Sequence, residues 1–344
     1  MDTIRVGFVG LGGICRQRHV PNLRKLDGVE LTVVCNRTRA SSERAAKEFG
    51  IPLICETWDQ VVRHPDVDAV FIGTWPYLHK PIALEALRAG KHVFCQARMA
   101  MDLAEAREMY DFSRSAGRVA AICPAPIGMS IDDTIRRRLL ARSLGDVRLV
   151  RVQSLSNVFA TPVEPIHWRK DHRLSGLNMH TLGIYVEVIH RWFGWTRSVS
   201  AQTHTYTHHL SGAKGERVDV QIPDLVLINA EMQSGVPVQY VFSTAVHHGG
   251  DRIEIYGSDM TLQYEVEDDL LYGAKPGEYL GSATMTTTDS ERTDPWRVEL
   301  DFINAIRKGT EYHPDFYEGM KYMQVVQAVH DSARDGKTVV LENL

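Results

Sequence analysis

The stretch VGFVGLGGIC, residues 6–15, constrains this 344-residue chain more than any other. A short β-rich run meets Gly10, Gly12 and Gly13, and a segment with helical spacing follows. Gly10 suits a tight turn, and Gly12 lets backbone N–H groups approach a pyrophosphate. A helix opening near Gly13 turns its positive end to the same anion. A GxGxxG-like string alone says little. Here it closes the first strand and opens a βαβ unit, the context that gives it meaning. The competing account is a glycine-rich turn that holds nothing.

The runs IRVGFVG, LTVVCN, AVFIG, HVFCQ and VAAIC alternate with amphipathic stretches such as TRASSERAAKEFG and DLAEAREMYDFSRSAG. That rhythm implies a parallel sheet covered on both faces. Right-handed crossovers make it doubly wound. After Pro124 and Pro126 the pattern changes. Residues 131–143 and 178–193 read as helices, and VRLVRVQSLS as a strand. SVSAQTHTYT, DLVLINAEMQ, VQYVFSTAV, DRIEIYG and TLQYEVE then read as strands of a largely antiparallel sheet. Helices are expected near 295–308 and 316–335. The chain is too long for one ordinary core. The expected architecture is α/β: a dinucleotide-binding Rossmann domain over 1–123 and an α+β domain over 124–344. The second domain has a large open sheet for substrate binding and oligomerisation, with the C-terminal helices packing back on the first.

The formal net charge of -4 argues against a nucleic-acid surface. No apolar run is long enough for a membrane span. The N-terminus enters a strand at once, without the regions of a signal peptide, so a cytoplasmic protein is expected. Cys15, Cys35, Cys55, Cys95 and Cys123 are odd in number and form no CxxC pair, which argues against a disulfide framework or zinc site. The histidines His167, His172, His204, His208, His209, His247 and His248 show no metal-ligand spacing, and no metal is expected.

The second strand ends in Asn36, Arg37 and Thr38. A chain selecting NAD usually places a carboxylate there for the ribose 2′-hydroxyl. Here no acid repels a 2′-phosphate, and Arg37 can pair with one and stack on adenine. NADP is therefore expected over NAD. The competing account makes Arg37 and Arg39 solvated charges at a helix start.

These residues, with TWPYLH (74–79), GKHVFC (90–95), the WRKDHRLSGLNMHTLGIYVEVIHRWFG segment and the C-terminal stretch from FINAIRKG onward, resemble the Gfo/Idh/MocA oxidoreductase family over nearly the whole chain. The resemblance implies hydride transfer between a nicotinamide cofactor and a sugar-, polyol- or hydroxy-acid-like substrate, in a homodimer or homotetramer. It implies cofactor contacts from Gly10, Gly12, Gly13, Ile14, Asn36 and Arg37. It adds Thr74, Trp75, Tyr77 and His79, then Gln96, Trp168 and Arg169.

The same resemblance exposes departures. On the family's Glu-Lys-Pro motif fall Gln96, Ala97 and Arg98, and an alanine carries no proton. Arg98 titrates too high to exchange protons, but can hold an oxyanion or carboxylate. A cation at the start of the helix after it would be disfavoured by the helix dipole, which favours a ligand partner. On the DxGxH-like pattern Thr181 replaces Asp and Tyr185 replaces His. Tyr185, with its pKa lowered by Arg98, or His180 is the expected proton carrier, about 140° apart on one helix. Each also has a plain structural account, as a core aromatic and a surface histidine. His167 is a further substrate-site candidate. Two other functions fit: a lyase or glycoside-cleaving enzyme working through transient oxidation, or a non-catalytic NAD(P)- and ligand-binding regulator. Apolar residues in VQYVFSTAV and DLVLINAEMQ exceed what one covered face needs, which points to self-association through the open sheet.

Overall fold

The computed structural model describes residues 3–124, 131–280 and 296–342. They form two compact units. One holds the residues up to 124 together with 297–323; the other holds those from 131 to 296 together with those from 324 on. The expected cut at 123/124 is thus joined by further crossings near 296 and 323.

In the first unit β1 (Ile4–Val9), β2 (Val29–Cys35), β3 (Leu53–Ile54), β4 (Ala69–Ile72), β5 (His92–Cys95) and β6 (Ala120–Ile122) form one parallel sheet in the order β3-β2-β1-β4-β5-β6. Val6, Phe8, Val33, Val34, Val70, Phe71, Val93 and Phe94 are buried, as strands with both faces covered require. Local chemistry sets the ends of the intervening helices. Thr38 and Ser41 form a reciprocal capping box on the helix Arg39–Phe49, and Gly50 closes it at φ 54°. The strand order turns back between β1 and β4, which is where this topology opens a crevice at the carboxyl ends of the strands.

The helix Val298–Lys308 belongs to the same unit. Phe302 lies edge-on to Phe71 at 5.5 Å and to Phe94 at 5.4 Å. Tyr322, on the helix Phe316–Asp335, accepts the Met99 N–H at 2.5 Å through its hydroxyl.

In the second unit β7 (Val147–Leu155), β8 (Thr196–His204), β11 (Leu225–Met232), β12 (Pro237–Ser243), β13 (Asp251–Gly257), β14 (Thr261–Glu265), β15 (Leu270–Ala274) and β16 (Val339–Val340) form a sheet in the order β15-β14-β13-β7-β12-β11-β8-β16. The β7–β12 pair is parallel and the others are antiparallel. β9 (His209–Ser211) and β10 (Arg217–Asp219), which the sequence patterning did not separate, make a small hairpin of their own. The fold is the α/β arrangement expected.

Three local expectations are corrected. The helix expected over 178–193 runs Leu182–Phe193; Thr181 stands at its N-cap and His180 precedes it at φ 49°. His180 and Tyr185 are therefore not two positions on one helix. Arg98 lies in a turn ahead of the helix Leu103–Ala116, so the helix dipole has no bearing on it. On β11 and β12, Val226, Ile228, Val238, Tyr240 and Phe242 face the core, whereas Asn229, Glu231 and Gln239 point outward beside Leu227 and Val241. The open face is more polar than the counting of apolar residues implied. Among the described residues no helix is long and apolar enough to cross a membrane.

Candidate functional site

A cleft of about 630 Å³ opens at the carboxyl ends of β1, β2 and β4, wholly within the first unit. Two glycines shape its floor. Gly10 has φ 81°, and a Cβ on it would lie 2.7 Å from the Thr74 nitrogen. A Cβ on Gly73 would lie 2.4 Å from the Gly10 carbonyl oxygen and 2.5 Å from Cys15 Sγ. Only glycine at both positions lets the loop after β1 touch the loop after β4. Gly73 is a site residue that sequence reasoning missed, although the FIG before TWP carried the signal.

The wall at the end of β2 is cationic and hydroxylic: Arg37, Thr38, Ser41 and Arg44 line it. The Arg37 guanidinium sits 5.3 Å from the centroid of the Trp75 ring, a cation–π distance. Glu56 also lines the cleft, but its carboxylate is taken by Arg39, which Glu43 holds as well. Arg39 is therefore a surface ion-pair residue. Asn36 lines the cleft and also fastens it. Its Oδ1 accepts the Leu11 N–H at 2.6 Å and its Nδ2 donates to the Ser41 carbonyl at 3.1 Å. It pins the glycine loop to the β2 wall, leaving the cationic side chains to meet a ligand.

Gly10, Gly12, Asn36, Arg37, Thr74, Trp75 and Tyr77, all expected at a cofactor, line this cleft. Thr38, named beside Arg37 at the strand end, lines it as well; Leu11, Arg16, Ser41, Arg44 and Trp58 line it too and were not singled out. Gly13, Ile14, His79, Gln96, Trp168 and Arg169 are not among the lining residues. His79 is buried. Its Nε2 faces the Thr74 carbonyl and its Nδ1 the Arg98 carbonyl, each at 3.0 Å, so it clamps the cleft wall to the turn after β5. Burial pulls its pKa down against the three carbonyls around it. The residues fit a dinucleotide on one further observation: Thr74 Oγ1 is buried at the cleft and makes no hydrogen bond within the described protein.

The turn after β5 carries Gln96, Ala97 and Arg98, with a cis Ala97–Arg98 peptide. Gln96 and Arg98 are buried. The Gln96 N–H donates to the Ile72 carbonyl at 3.0 Å, fixing the turn to β4. Gln96 also meets His19 through its side-chain amide.

The other candidates belong to the second unit. Tyr185 is buried, tilted against Phe242 at 6.0 Å, and donates its hydroxyl to Asp251 at 2.5 Å. Burial first, and the Asp251 carboxylate next, push its pKa up. The expectation that a cation lowers it is thus overturned at Tyr185 itself. Thr181 donates to the Ser154 hydroxyl at 2.9 Å. His180 is half-buried, in the left-handed backbone region that is sparsely populated outside glycine. Arg169 lies 4.3 Å from the Trp168 ring centroid, and burial lowers its pKa. His167 packs at a tilt against both Phe159 and Trp168, its pKa lowered by burial and by Arg169. Lys170 is buried and donates to Asp224 at 2.5 Å and to the Ile222 and Pro223 carbonyls. It is a structural pin.

His313, Asp315 and Glu318 place ligand-type atoms within 4.8 Å of one another. Their oxygens are already engaged. Asp315 Oδ1 accepts the Tyr317 and Glu318 N–H groups, and Glu318 Oε2 accepts the Asp315 N–H beside His313. This is helix-end capping.

A phosphate cradle at the switch point of a doubly wound sheet, joined to an open mixed sheet, defines a dinucleotide-binding oxidoreductase architecture. The model of the oxidoreductase family with an NAD-binding Rossmann fold matches residues 4–123, and that of its C-terminal alpha/beta domain matches 136–341. The chain belongs to the Gfo/Idh/MocA oxidoreductase family, and it is an enzyme of that class. It is 24% identical over 346 residues to an inositol 2-dehydrogenase of Gluconacetobacter diazotrophicus, spanning 99% of this chain and 97% of that one. An oxidoreductase domain protein from Kribbella flavida shares the fold with a TM-score of 0.89 at 24% identity, over 100% of both chains. A levoglucosan dehydrogenase in complex with NADH and levoglucosan does so with a TM-score of 0.89 at 20% identity, also over 100% of both.

Proposed function

We propose that the protein is an NADP(H)-preferring oxidoreductase that moves a hydride between the nicotinamide and a sugar-, polyol- or hydroxy-acid-like molecule. The observation that carries the cofactor choice is the wall of Arg37, Arg44, Thr38 and Ser41 at the end of β2, where an NAD-selecting chain would place an acid. The 2′-phosphate would meet two cations and two hydroxyls there. Gly10 and Gly12 would cradle the pyrophosphate, and Thr74 Oγ1 would find its missing partner on the dinucleotide. The bound nicotinamide would supply the hydride chemistry. The substrate class is supported by the relatives named for inositol and levoglucosan.

Since Ala97 cannot handle the substrate proton, His180 is the better candidate for that task. Its backbone is held in an unusual conformation, a feature that clusters at functional sites. Its intrinsic pKa suits general acid–base work. Tyr185 is bound to Asp251 and harder to ionise than a free phenol. Arg98 would hold an anionic or oxyanionic part of the ligand. The second unit would bind substrate and self-associate into a dimer or tetramer through its open sheet, where Leu227 and Val241 stand side by side.

Calorimetric titration with NADPH and NADH tests the cofactor choice. NADPH should bind at least about tenfold tighter, a difference of about 1.4 kcal/mol. Tighter binding of NADH by the same margin would refute it. A panel of polyols, sugars and keto-sugars, followed by absorbance and product mass, then finds the substrate. Product formed without net change in NADPH would redirect the assignment to transient-oxidation chemistry.

A further inference from the structure

His180, the candidate proton carrier, sits on a short bridge of chain held at both ends. The bridge leaves the helix His172–Ser175 at Gly176 and enters the helix Leu182–Phe193 at its N-cap, Thr181. At the second end the Thr181 hydroxyl donates to Oγ of Ser154, a buried residue of β7, at 2.9 Å. At the first end the Leu177 carbonyl faces Nε2 of His330 at 3.2 Å, across 153 positions of sequence. Between them lie Asn178 and Met179, both buried, and then His180 at φ 49°. Asn178 Nδ2 donates to the Ser175 carbonyl at 2.7 Å, which ties the bridge back to the helix before it.

A carbonyl oxygen only accepts, so Nε2 of His330 donates, and it does so whether the ring is neutral or charged. The element that carries this donor is itself fastened. His330 lies on the helix Phe316–Asp335, where the buried Ser332 accepts the Ala201 N–H of β8 at 2.9 Å and donates to the Lys337 carbonyl at 2.6 Å. A residue outside glycine stays in the left-handed region where its surroundings over-determine it. Fixing the carbonyl of Leu177 and the hydroxyl of Thr181 leaves Asn178, Met179 and His180 few ways to cross between them. We propose that His330 is a positioning residue for His180. Its bond to the Leu177 carbonyl, opposed by the bond of Thr181 to Ser154, holds the bridge in the conformation that sets where the His180 ring stands. A general acid or base must stand within hydrogen-bond reach of its proton, and a small displacement lowers the rate.

The proposal rests on the reading of His180 as proton carrier only for its purpose; the anchoring needs no substrate. The test therefore has two arms, both on the full chain. His330→Met keeps the length of the side chain and removes the donor. His330→Gln places an amide nitrogen the same number of bonds from Cα and restores it. In the first arm, hydrogen exchange at pH 7 follows the Leu182 amide, which is bonded to the Met179 carbonyl and is released when the bridge opens. His330→Met should speed its exchange about tenfold or more, His330→Gln should stay within about threefold of wild type, and amides of β11 and β12 should not change. Unchanged exchange in His330→Met, or no rescue by Gln, overturns the proposal. Wild type alone keeps it falsifiable if His330→Met does not fold. There, ¹⁵N NMR of labelled histidines, with His330 assigned by its loss in His330→Gln, should show a proton on Nε2, and a bare Nε2 overturns the proposal. In the second arm, turnover is followed with the substrate that the polyol and sugar panel yields. His330→Met should lower kcat about tenfold or more, with KM and NADPH affinity within about threefold. In the His180→Ala background the same change should add less than about threefold, as for a residue that acts through His180. An undiminished fall in that background overturns the proposal. Full turnover in His180→Ala instead sinks the proton-carrier reading, and then, as when the panel yields no substrate, the exchange arm alone decides.

Discussion

Single residues here are read best through what already engages them. Arg39 looked equivalent to Arg37 in sequence, but Glu43 and Glu56 hold it, while Arg37 faces the cleft over Trp75. Arg37→Asp should therefore reverse the NADPH preference, whereas Arg39→Asp should leave it within about threefold; calorimetry separates them. Equal effects would mean that the β2 wall acts only through general charge. The two proton-carrier candidates part in the same way. His180→Ala should lower turnover by about 10²-fold or more on a confirmed substrate, the usual worth of a general acid or base. Tyr185→Phe leaves Asp251 without its donor, so it should cost about 1–3 kcal/mol in stability and little in rate. If Tyr185→Phe removes turnover and His180→Ala does not, the assignment is inverted. Arg98→Ala should raise KM for substrate more than it weakens NADPH.

At the level of elements, period and punctuation gave away most of the architecture, since a strand covered on both faces must read as Val, Ile and Phe. Ends were less legible. The 178–193 pattern is apolar enough to extend a helix backward, but the left-handed backbone at His180 keeps it from starting before Leu182. The buried contacts of His19 with Glu299, on the helix Val298–Lys308, and with the Gln96 side chain were invisible for another reason. The three residues come from elements far apart in sequence, and nothing in the spacing of Glu299 marks it as buried. The same distance hid the anchoring of Val298–Lys308, whose pattern shows an apolar face but not its partner. That partner is the Phe71–Phe94 pair, stacked at 4.6 Å, which Phe302 meets edge-on. Phe302→Ala should cost about 3–5 kcal/mol by chemical denaturation, as for other buried aromatic truncations. A loss under about 1 kcal/mol would show that this helix is not part of the first unit's core.

For the whole molecule, acid sensitivity follows from histidines folded in the neutral form. His79 is held down by burial against its carbonyl partners, and His330 by burial against the Leu177 carbonyl it meets at 3.2 Å. His92 is lowered to about 4 by burial and by Arg118, and its Nδ1 accepts the Val119 N–H at 3.0 Å, which a protonated ring cannot do. A base whose folded pKa is depressed takes up its proton on unfolding. The unfolded state then binds more protons below pH of about 6.5, so stability is fully present above that value and is lost as pH falls through it. Each such histidine adds up to about 1.4 kcal/mol per pH unit until its folded pKa is reached. Asp68 and Asp171, whose pKa values are lowered, act in the same direction further down the scale, while His313, shifted upward, opposes. The denaturation midpoint should therefore fall from pH 7 to pH 5, before the carboxylates titrate. His92→Gln, which keeps an acceptor near the Val119 N–H and carries no proton, should flatten the profile over that interval. A midpoint constant between pH 7 and 5, or a profile unchanged by His92→Gln, would show that these rings are not the groups that take up protons on unfolding.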